Sequence, residues 1–547
     1  MLKIISLGGF GKVTSNMFAY EYENDIILVD CGMGFPTEDM LGIDILIPDI
    51  TYLRDKLHKI RGLVITHGHE DHTGALPYIL PQIPNLPIYA SKLTASLVSE
   101  KLAEYQGMPI NIKVLIPRTQ LVLGKFVIES VLISHSIPDA TNLIIKTPVG
   151  TVFHGSDFKF DFTPVDGVKP DVGGIAAAGN NGIKLLLSDS LGSGRKGYTP
   201  SEKSLEDTFE KEISNCAGKF IVTTMGSNIS RWKQAAEAAI RHGRKIAVIG
   251  RSIERNLKVA AEQGYFKLSD KAFVSPRQVA RMNPAQVCLL VAGAMAQSGS
   301  ALERITLGDH RDIRIVAGDK VVFSADPIPG SENAVYSLID TLSRLGAEAV
   351  YSDVTSNLHV SGHGSQGDLL LMMNLTKPEY VLPIGGSYMH MVQYAKLAKS
   401  AGFTEDKILL PMGHSIEMDA NGVRFGPVID VQNIMVDGLG VGDVGNVVLR
   451  DRQVLSEEGV VVAIIEANRN NLTKLIRVDL ISRGFVFAKE NANLLAQGAN
   501  AVRKAVEKVK IIDSDRYLRS LASDALERFF FEQTHRRPMI LPVVVEV

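Results

Sequence analysis

His67-Gly68-His69-Glu70-Asp71-His72 decides how the rest of this chain is read. It places three imidazoles and the Asp71 carboxylate within six residues, in a chain of 547 residues with only 13 histidines. The cluster ends an apolar run, residues 62–66, that reads as a buried strand. In an extended or turning backbone, alternate side chains share a side. His67 and His69 can therefore converge on one ion, while Asp71 and His72 turn toward a second. Imidazole and carboxylate without thiolate suit Zn²⁺, with Mn²⁺ as the other candidate. The alternative is a polar loop rich in histidine by chance.

A two-ion site needs donors from elsewhere in the chain. His135 follows an apolar strand at 126–133, and Asp157 follows another at 151–154. Each taken alone fits a structural hydrogen-bonder as well as a ligand. Both stand at strand ends downstream of the cluster, where a β-sandwich would bring them to one rim. Asp30 closes the strand 26–30; it can orient a ligand histidine from behind, or simply turn the chain.

Composition excludes several classes. Hydrophobic residues make up 45% and charged residues 22% of the chain, as in soluble globular proteins. No apolar run reaches the ~20 residues a membrane span needs, and a signal peptide is not expected. The three cysteines, Cys31, Cys216 and Cys288, lie far apart, which argues against a disulfide framework and for a cytoplasmic protein. A net charge of -2 announces no nucleic-acid partner. One segment is basic: Arg231, Lys233, Arg241, Arg244, Lys245, Arg251, Arg255 and Lys258 face only Glu237 and Glu254. A solvated helical face is the ordinary alternative.

The length predicts about three domains. Residues 1–203 are β-rich, with Gly and Pro punctuation. Residues 204–352 alternate strand and helix, as a small doubly wound unit does. In 353–428 the alternation gives way to isolated histidines and Gly-Gly turns, so the middle segment reads as an insertion into the first domain. A Gly/Asp-rich linker is expected at 429–446 and an α+β domain at 447–547. That last domain is expected to open on a strand at 447–449 and to carry helices at 490–508 and 514–531, with Leu518, Leu521, Ala525 and Phe529 on one face.

The order Asp30, His67-X-His69-X-Asp71-His72, His135, Asp157 resembles the metallo-β-lactamase superfamily. Further stretches resemble the ribonuclease J family in particular. These include His135-Ser136-Ile137-Pro138-Asp139, Tyr198-Thr199-Pro200-Ser201-Glu202, Pro327-Ile328-Pro329-Gly330, His359-Val360-Ser361-Gly362-His363 and Ser482-Arg483-Gly484-Phe485. The resemblance covers essentially the whole chain. It implies an α/β architecture: a metallo-β-lactamase αββα sandwich, an inserted β-CASP domain and a small C-terminal α+β domain used in dimerisation. It implies that His67, His69, His135 and Asp157 hold one ion, and that Asp71, His72 and a bridging Asp157 hold the other. His359, Val360, Ser361, Gly362 and His363 would grip a phosphate, with His363 as proton donor. Gly226-Ser227-Asn228 would contact RNA phosphate a second time, with the basic run beside it. The implied partner is single-stranded, 5′-monophosphorylated RNA, cut from the 5′ end and internally in RNA maturation and decay. The implied assembly is a homodimer or homotetramer. Asp44 and Asp437 resemble carboxylates that hold a structural Ca²⁺ in some relatives; ordinary turn aspartates are the alternative.

The chain departs from the family pattern where Gly385-Gly386-Ser387 replaces His-Gly-Glu. Gly385 has no side chain to coordinate with, so the second ion site is expected to be weak, unless His390 reaches it. A weakened or inactive RNA-binding paralogue is therefore one rival reading. Another hydrolase of the same fold, acting on thioesters or lactams, is a second, although neither substrate needs a phosphate clamp. A DNA-directed β-CASP nuclease is a third.

Overall fold

The computed structural model describes residues 1–108, 110–328, 330–486 and 491–547. Pro329 of the Pro-Ile-Pro-Gly motif and Glu490, where a helix was expected to begin, lie outside the described residues. The chain divides into two units, one of residues 1–35 and 45–434, the other of 36–44 and 435–547.

The first unit starts from two stacked sheets. One has eight strands, in the order Gly422–Val428, His414–Asp419, Leu2–Ser6, Phe18–Tyr22, Asp25–Val29, Ile60–Ile65, Ile88–Ala90 and Ile112–Val114. The other has six: Tyr380–Ile384, Leu185–Asp189, Gly150–His154, Thr141–Thr147, Phe126–Leu132 and Gln120–Leu123. Their facing side chains form one core, in which Ile4, Ile27 and Val64 meet Ile128, Leu143 and Leu187. Strands buried on both faces read as continuous apolar runs, which is why 62–66 carries no alternation. In each of the two sheets one edge is completed by strands from beyond residue 379. The segment between is thus an insertion in space as well as in sequence.

The insertion holds a wholly parallel sheet, in the order Lys245–Ile249, Val287–Val291, Phe220–Thr223, Lys320–Phe323 and Glu348–Val350. Helices Ile229–Arg241 and Arg251–Glu262 follow its first two strands in sequence. Asn228 caps the first helix by accepting the Arg231 amide at 3.1 Å. Arg255 and Lys258 on the second helix pair with Glu104 and Glu100 of the lactamase part, at 2.9 and 3.0 Å. Those pairs help hold the insertion over the sandwich rim.

In the second unit, Val460–Asn468 lies between Asn471–Arg483 and Met539–Glu546. Helices Ala492–Glu507 and Asp515–Thr534 cover one face of this sheet. The buried stripe of the longer helix is Leu518, Ala522, Leu526 and Phe530, so the stripe expected from sequence was turned by one residue. The strand expected at 447–449 is instead the first turn of helix Asn446–Glu458. The expected linker contains strands Ile434–Asp437 and Gly440–Val441, paired as a hairpin. β-branched Val447 and Val448 favoured strand in the sequence, but tertiary context overrides so weak a preference.

Candidate metal centre and phosphate edge

Each donor sits where an apolar strand gives out. Strand Ile60–Ile65 delivers His67 and His69, and the short helix Glu70–Thr73 carries Asp71 and His72. His135 follows Phe126–Leu132, and Asp157 follows Gly150–His154. All six come together. His67 Nε2 lies 3.2 Å and His135 Nε2 3.0 Å from His69 Nδ1. Asp157 Oδ2 lies 3.2 Å from His72 Nε2, 3.8 Å from His135 Nε2 and 3.9 Å from His67 Nε2. Asp71 Oδ2 is 3.6 Å from the same His72 nitrogen.

The backing hydrogen bonds set the tautomers of two of these rings. His135 donates Nδ1–H to the Gly362 carbonyl at 2.8 Å, which leaves the Nε2 lone pair for the centre. His72 donates Nδ1–H to Asp30 Oδ2 at 2.8 Å, with the same result. Asp30 is itself fixed by the Thr66 amide at 2.8 Å. Thus Asp30 sits behind a metal-competent histidine, the arrangement that orients such rings and raises their basicity.

The donor set fits divalent ions. Neighbouring ligands of a tetrahedral ion with Zn–N bonds of roughly 2.0–2.1 Å stand about 3.3 Å apart. The imidazole nitrogens, 3.0 and 3.2 Å apart, match that edge. Burial and the neighbouring imidazoles hold His67 and His135 neutral, and burial pushes His69 down to about 3. Burial alone would do the same to His72, but Asp157, Asp71 and Asp30 outweigh it and raise its pKa. Three carboxylates around one ring call for positive charge. Three overlapping groups of donors lie within metal-binding reach: His67, His69 and His135; His67, His72 and Asp157; and His135, Asp157 and His363.

Beside the centre runs residues 359–363. His363 donates Nδ1–H to buried Asp189 at 2.7 Å, and its Nε2 stands 3.9 Å from Asp157. Burial lowers the His363 pKa, but Asp189 and Asp157 prevail and raise it to about 9. Ser361 Oγ accepts from Arg195 at 2.9 Å and from the His363 amide at 3.1 Å, so its own proton is free to be donated elsewhere. A cleft of about 470 Å³ joins the two regions, and Asp71, His135, Asp157, Ser361 and His363 line it together with Gly226-Ser227-Asn228. Val360 is buried and contributes through its backbone carbonyl, which accepts from Arg231 at 2.9 Å.

Several expectations need correction. Arg231 and Arg244 are buried and bonded to protein groups, so they cannot follow RNA from the surface. Arg241, Arg255 and Lys258 are engaged by glutamates. Arg231 and Arg244 are therefore internal, while Arg241, Lys245, Arg251 and Lys258 remain exposed. His390 does not replace the missing ligand: its Nδ1 accepts the Ser387 amide at 3.2 Å, as part of a helix cap. No donor group includes it among the described residues. Gly385 itself adopts φ 64°, and a Cβ there would sit 3.3 Å from Asp157 Oδ1, so the departure lies directly against the centre. Asp44 accepts the Gly438 amide at 2.8 Å, and Asp437 pairs with Arg452. Asp189 was missed, although the apolar strand Leu185–Asp189 runs into an aspartate much as Asp25–Val29 runs into Asp30.

Fold and donor set together define a metal-dependent hydrolase of the metallo-β-lactamase superfamily carrying a β-CASP insertion. The sequence matches the metallo-beta-lactamase superfamily over residues 10–182 and the ribonuclease J beta-CASP domain over 217–342. It matches the Zn-dependent metallo-hydrolase RNA specificity domain over 348–411 and the ribonuclease J C-terminal domain over 447–547. Among relatives, Ribonuclease J2 of Bacillus subtilis is 36% identical, covering 100% of this chain and 99% of that protein. Ribonuclease J 1 of Streptococcus pyogenes is 37% identical, covering 99% and 97%. Ribonuclease J of Thermus thermophilus is 36% identical, covering 100% and 95%. The chain belongs to the ribonuclease J family. A crystal structure of a protein of unknown function from Enterococcus faecalis covers 76% of this chain and 99% of its own, with TM-score 0.53 and 15% identity, and speaks to the fold alone.

Proposed function

We propose that this chain is a ribonuclease that hydrolyses single-stranded RNA, preferring a 5′-monophosphate and cutting both from the 5′ end and internally. The observation that carries this reading is the single cleft shared by the converging imidazoles, Asp157 and the Ser361–His363 edge. His67, His69, His135 and Asp157 would hold one divalent ion; Asp71, His72 and Asp157 would hold the other. Zn²⁺ suits the imidazole-rich set, and Mn²⁺ is the alternative. When bound, such ions acidify a water and neutralise charge on phosphoryl oxygens. The chain's own groups do the rest. Ser361 donates its free hydroxyl proton to a phosphate oxygen. His363, its Nδ1–H anchored on Asp189, turns Nε2 toward the cleft, where it can protonate the departing ribose oxygen. Gly226 and Ser227 offer backbone amides at the start of a 13-residue helix, an electropositive place for a second phosphate.

Gly385 favours a second reading, an RNA-binding paralogue with weakened turnover, because one side of the Asp71–His72 site lacks a protein ligand. We read the Asp44–Asp437 neighbourhood as neutralised by Arg452 rather than by Ca²⁺.

We further infer a homodimer, or a homotetramer built from it. The sheet face away from the helices presents Leu541, Val543 and Ile481, each 45% exposed, around Val462 and Ile464. An apolar face of that kind suits a second copy related by a two-fold axis. Free, buried cysteines fit a cytoplasmic setting. No helix among the described residues is long and apolar enough to cross a membrane.

The deciding experiment incubates the purified protein with 5′-monophosphorylated and 5′-triphosphorylated RNA, with metal added or chelated, beside thioester and lactam substrates. Metal-dependent shortening of the monophosphorylated RNA supports the ribonuclease reading. Binding without turnover selects the paralogue, and turnover of the thioester or lactam alone refutes both.

A further inference from the structure

Arg231 is fully buried at the first turn of helix Ile229–Arg241, yet it stands beside the cleft. Its Nη2 donates to both Glu202 oxygens at 2.8 and 2.9 Å and to the Val360 carbonyl at 2.9 Å. Its Nη1 donates to the Ser324 carbonyl at 2.6 Å and meets His359 Nδ1 at 2.9 Å. A guanidinium has no acceptor and does not deprotonate in proteins. The His359 nitrogen facing it must therefore be the bare lone pair. The ring proton is then confined to Nε2, and a proton on Nδ1 would confront a fixed N–H. His359 also lines the cleft, and no partner holds its Nε2 among the described residues.

We propose that Arg231 is a positioning residue that locks His359 as the neutral tautomer with hydrogen on Nε2, so that RNA phosphate meets a fixed N–H donor at that edge of the cleft. The inference rests on the ribonuclease reading. The surroundings agree with the lock. Burial lowers the His359 pKa to about 3, and Arg231, Arg195, Lys159 and His363 all add positive charge around it. Glu202, the carboxylate that Arg231 grips, is also engaged by Lys159 at 3.8 Å. Glu202 thus balances the guanidinium rather than the imidazole.

The test is RNA affinity as a function of pH, measured by fluorescence anisotropy with 5′-monophosphorylated RNA on Zn²⁺-loaded full chain. An Asp71→Ala background removes turnover. Arg231→Met is combined with Glu202→Gln so that the Glu202 carboxylate is not left without its guanidinium, while buried Lys159, 3.8 Å from Glu202, keeps Asp161 and Asp368 as nearby counter-charges. At about pH 8 this variant should bind roughly tenfold more weakly than its parent, the loss of one hydrogen bond to a charged group. As pH falls through about 6.5, the ordinary histidine range, the freed His359 should protonate and the deficit should shrink. Adding His359→Gln should make the deficit independent of pH. A deficit in the Arg231→Met/Glu202→Gln variant that stays constant with pH overturns the proposal, because a merely structural arginine would behave that way.

A second pair of variants leaves Arg231 in place. His359→Gln puts an amide donor near the Nε2 position and should keep affinity within a few-fold. His359→Asn puts it on the Nδ1 side and should lose roughly tenfold. Equal losses in the two would also overturn the proposal. A parent that binds no RNA at all would instead refute the ribonuclease reading, so the two failures are distinct.

Discussion

Tautomers, more than residue identities, make the centre a place for metal. His135 and His72 each spend Nδ1–H on an acceptor behind them and turn Nε2 inward. His69 Nδ1 stands 3.2 Å from His67 Nε2 and 3.0 Å from His135 Nε2, and lone pairs that close repel one another unless a cation lies between them. The same logic isolates Gly385. A Cβ built there would face Asp157 and Asp189, but glycine itself brings no side-chain donor to join Asp157. Gly385→His is expected to raise the occupancy of the second site, read as metal per chain after dialysis. The left-handed backbone at φ 64° makes this substitution cost about 1 kcal/mol of stability. Unchanged metal content in a folded variant would mean that the missing side chain is not what limits the site.

At the scale of elements, the strand ends carry the most weight, and they were also the most legible part of the sequence. The apolar run ending in His67 singled out the cluster, while the runs before His135 and Asp157 only made those residues candidates until the family resemblance joined them, because strands buried on both faces leave no other pattern. Asp189 ends a run of the same kind, Leu185–Asp189, and its pairing with His363 lies 174 residues away, beyond any local signal. The basic run misled for a related reason. Counting charges does not show which of them face carboxylates and carbonyls of distant segments, as Arg231 and Arg244 do. Short β-branched stretches misled too, since 447–449 became helix.

Asn228 belongs to this scale. Its side chain is spent on capping helix Ile229–Arg241, which leaves the Gly226 and Ser227 amides to meet a phosphate. Asn228→Ala should lower stability by about 1 kcal/mol. It should also weaken RNA binding, while metal content is unchanged. Chemical denaturation, RNA titration and metal analysis read the three effects separately, and intact RNA affinity would exclude this helix start from the RNA path.

Across the whole molecule, one lactamase sandwich accepts an inserted parallel-sheet domain and shares a cleft with it, while the second unit keeps a sheet face bare. Val543 lies on that face, 45% exposed, beside Ile464 of the neighbouring strand. Val543→Asp is expected to shift the protein to monomer in sedimentation without unfolding the domain, because the side chain faces away from the Val461–Phe530 core. An unchanged assembly would place the subunit contact elsewhere.

The central claim is that six side chains from separate strand ends form one divalent-ion centre for cutting RNA. It is tested most directly by following 5′-monophosphorylated RNA in the native protein, in the same protein stripped by chelator and then reloaded, and in Asp71→Ala. The account predicts cleavage that disappears with the metal, returns with Zn²⁺ or Mn²⁺, and is absent from Asp71→Ala although that variant still binds RNA. Cleavage that persists after stripping, or undiminished in Asp71→Ala, would contradict it.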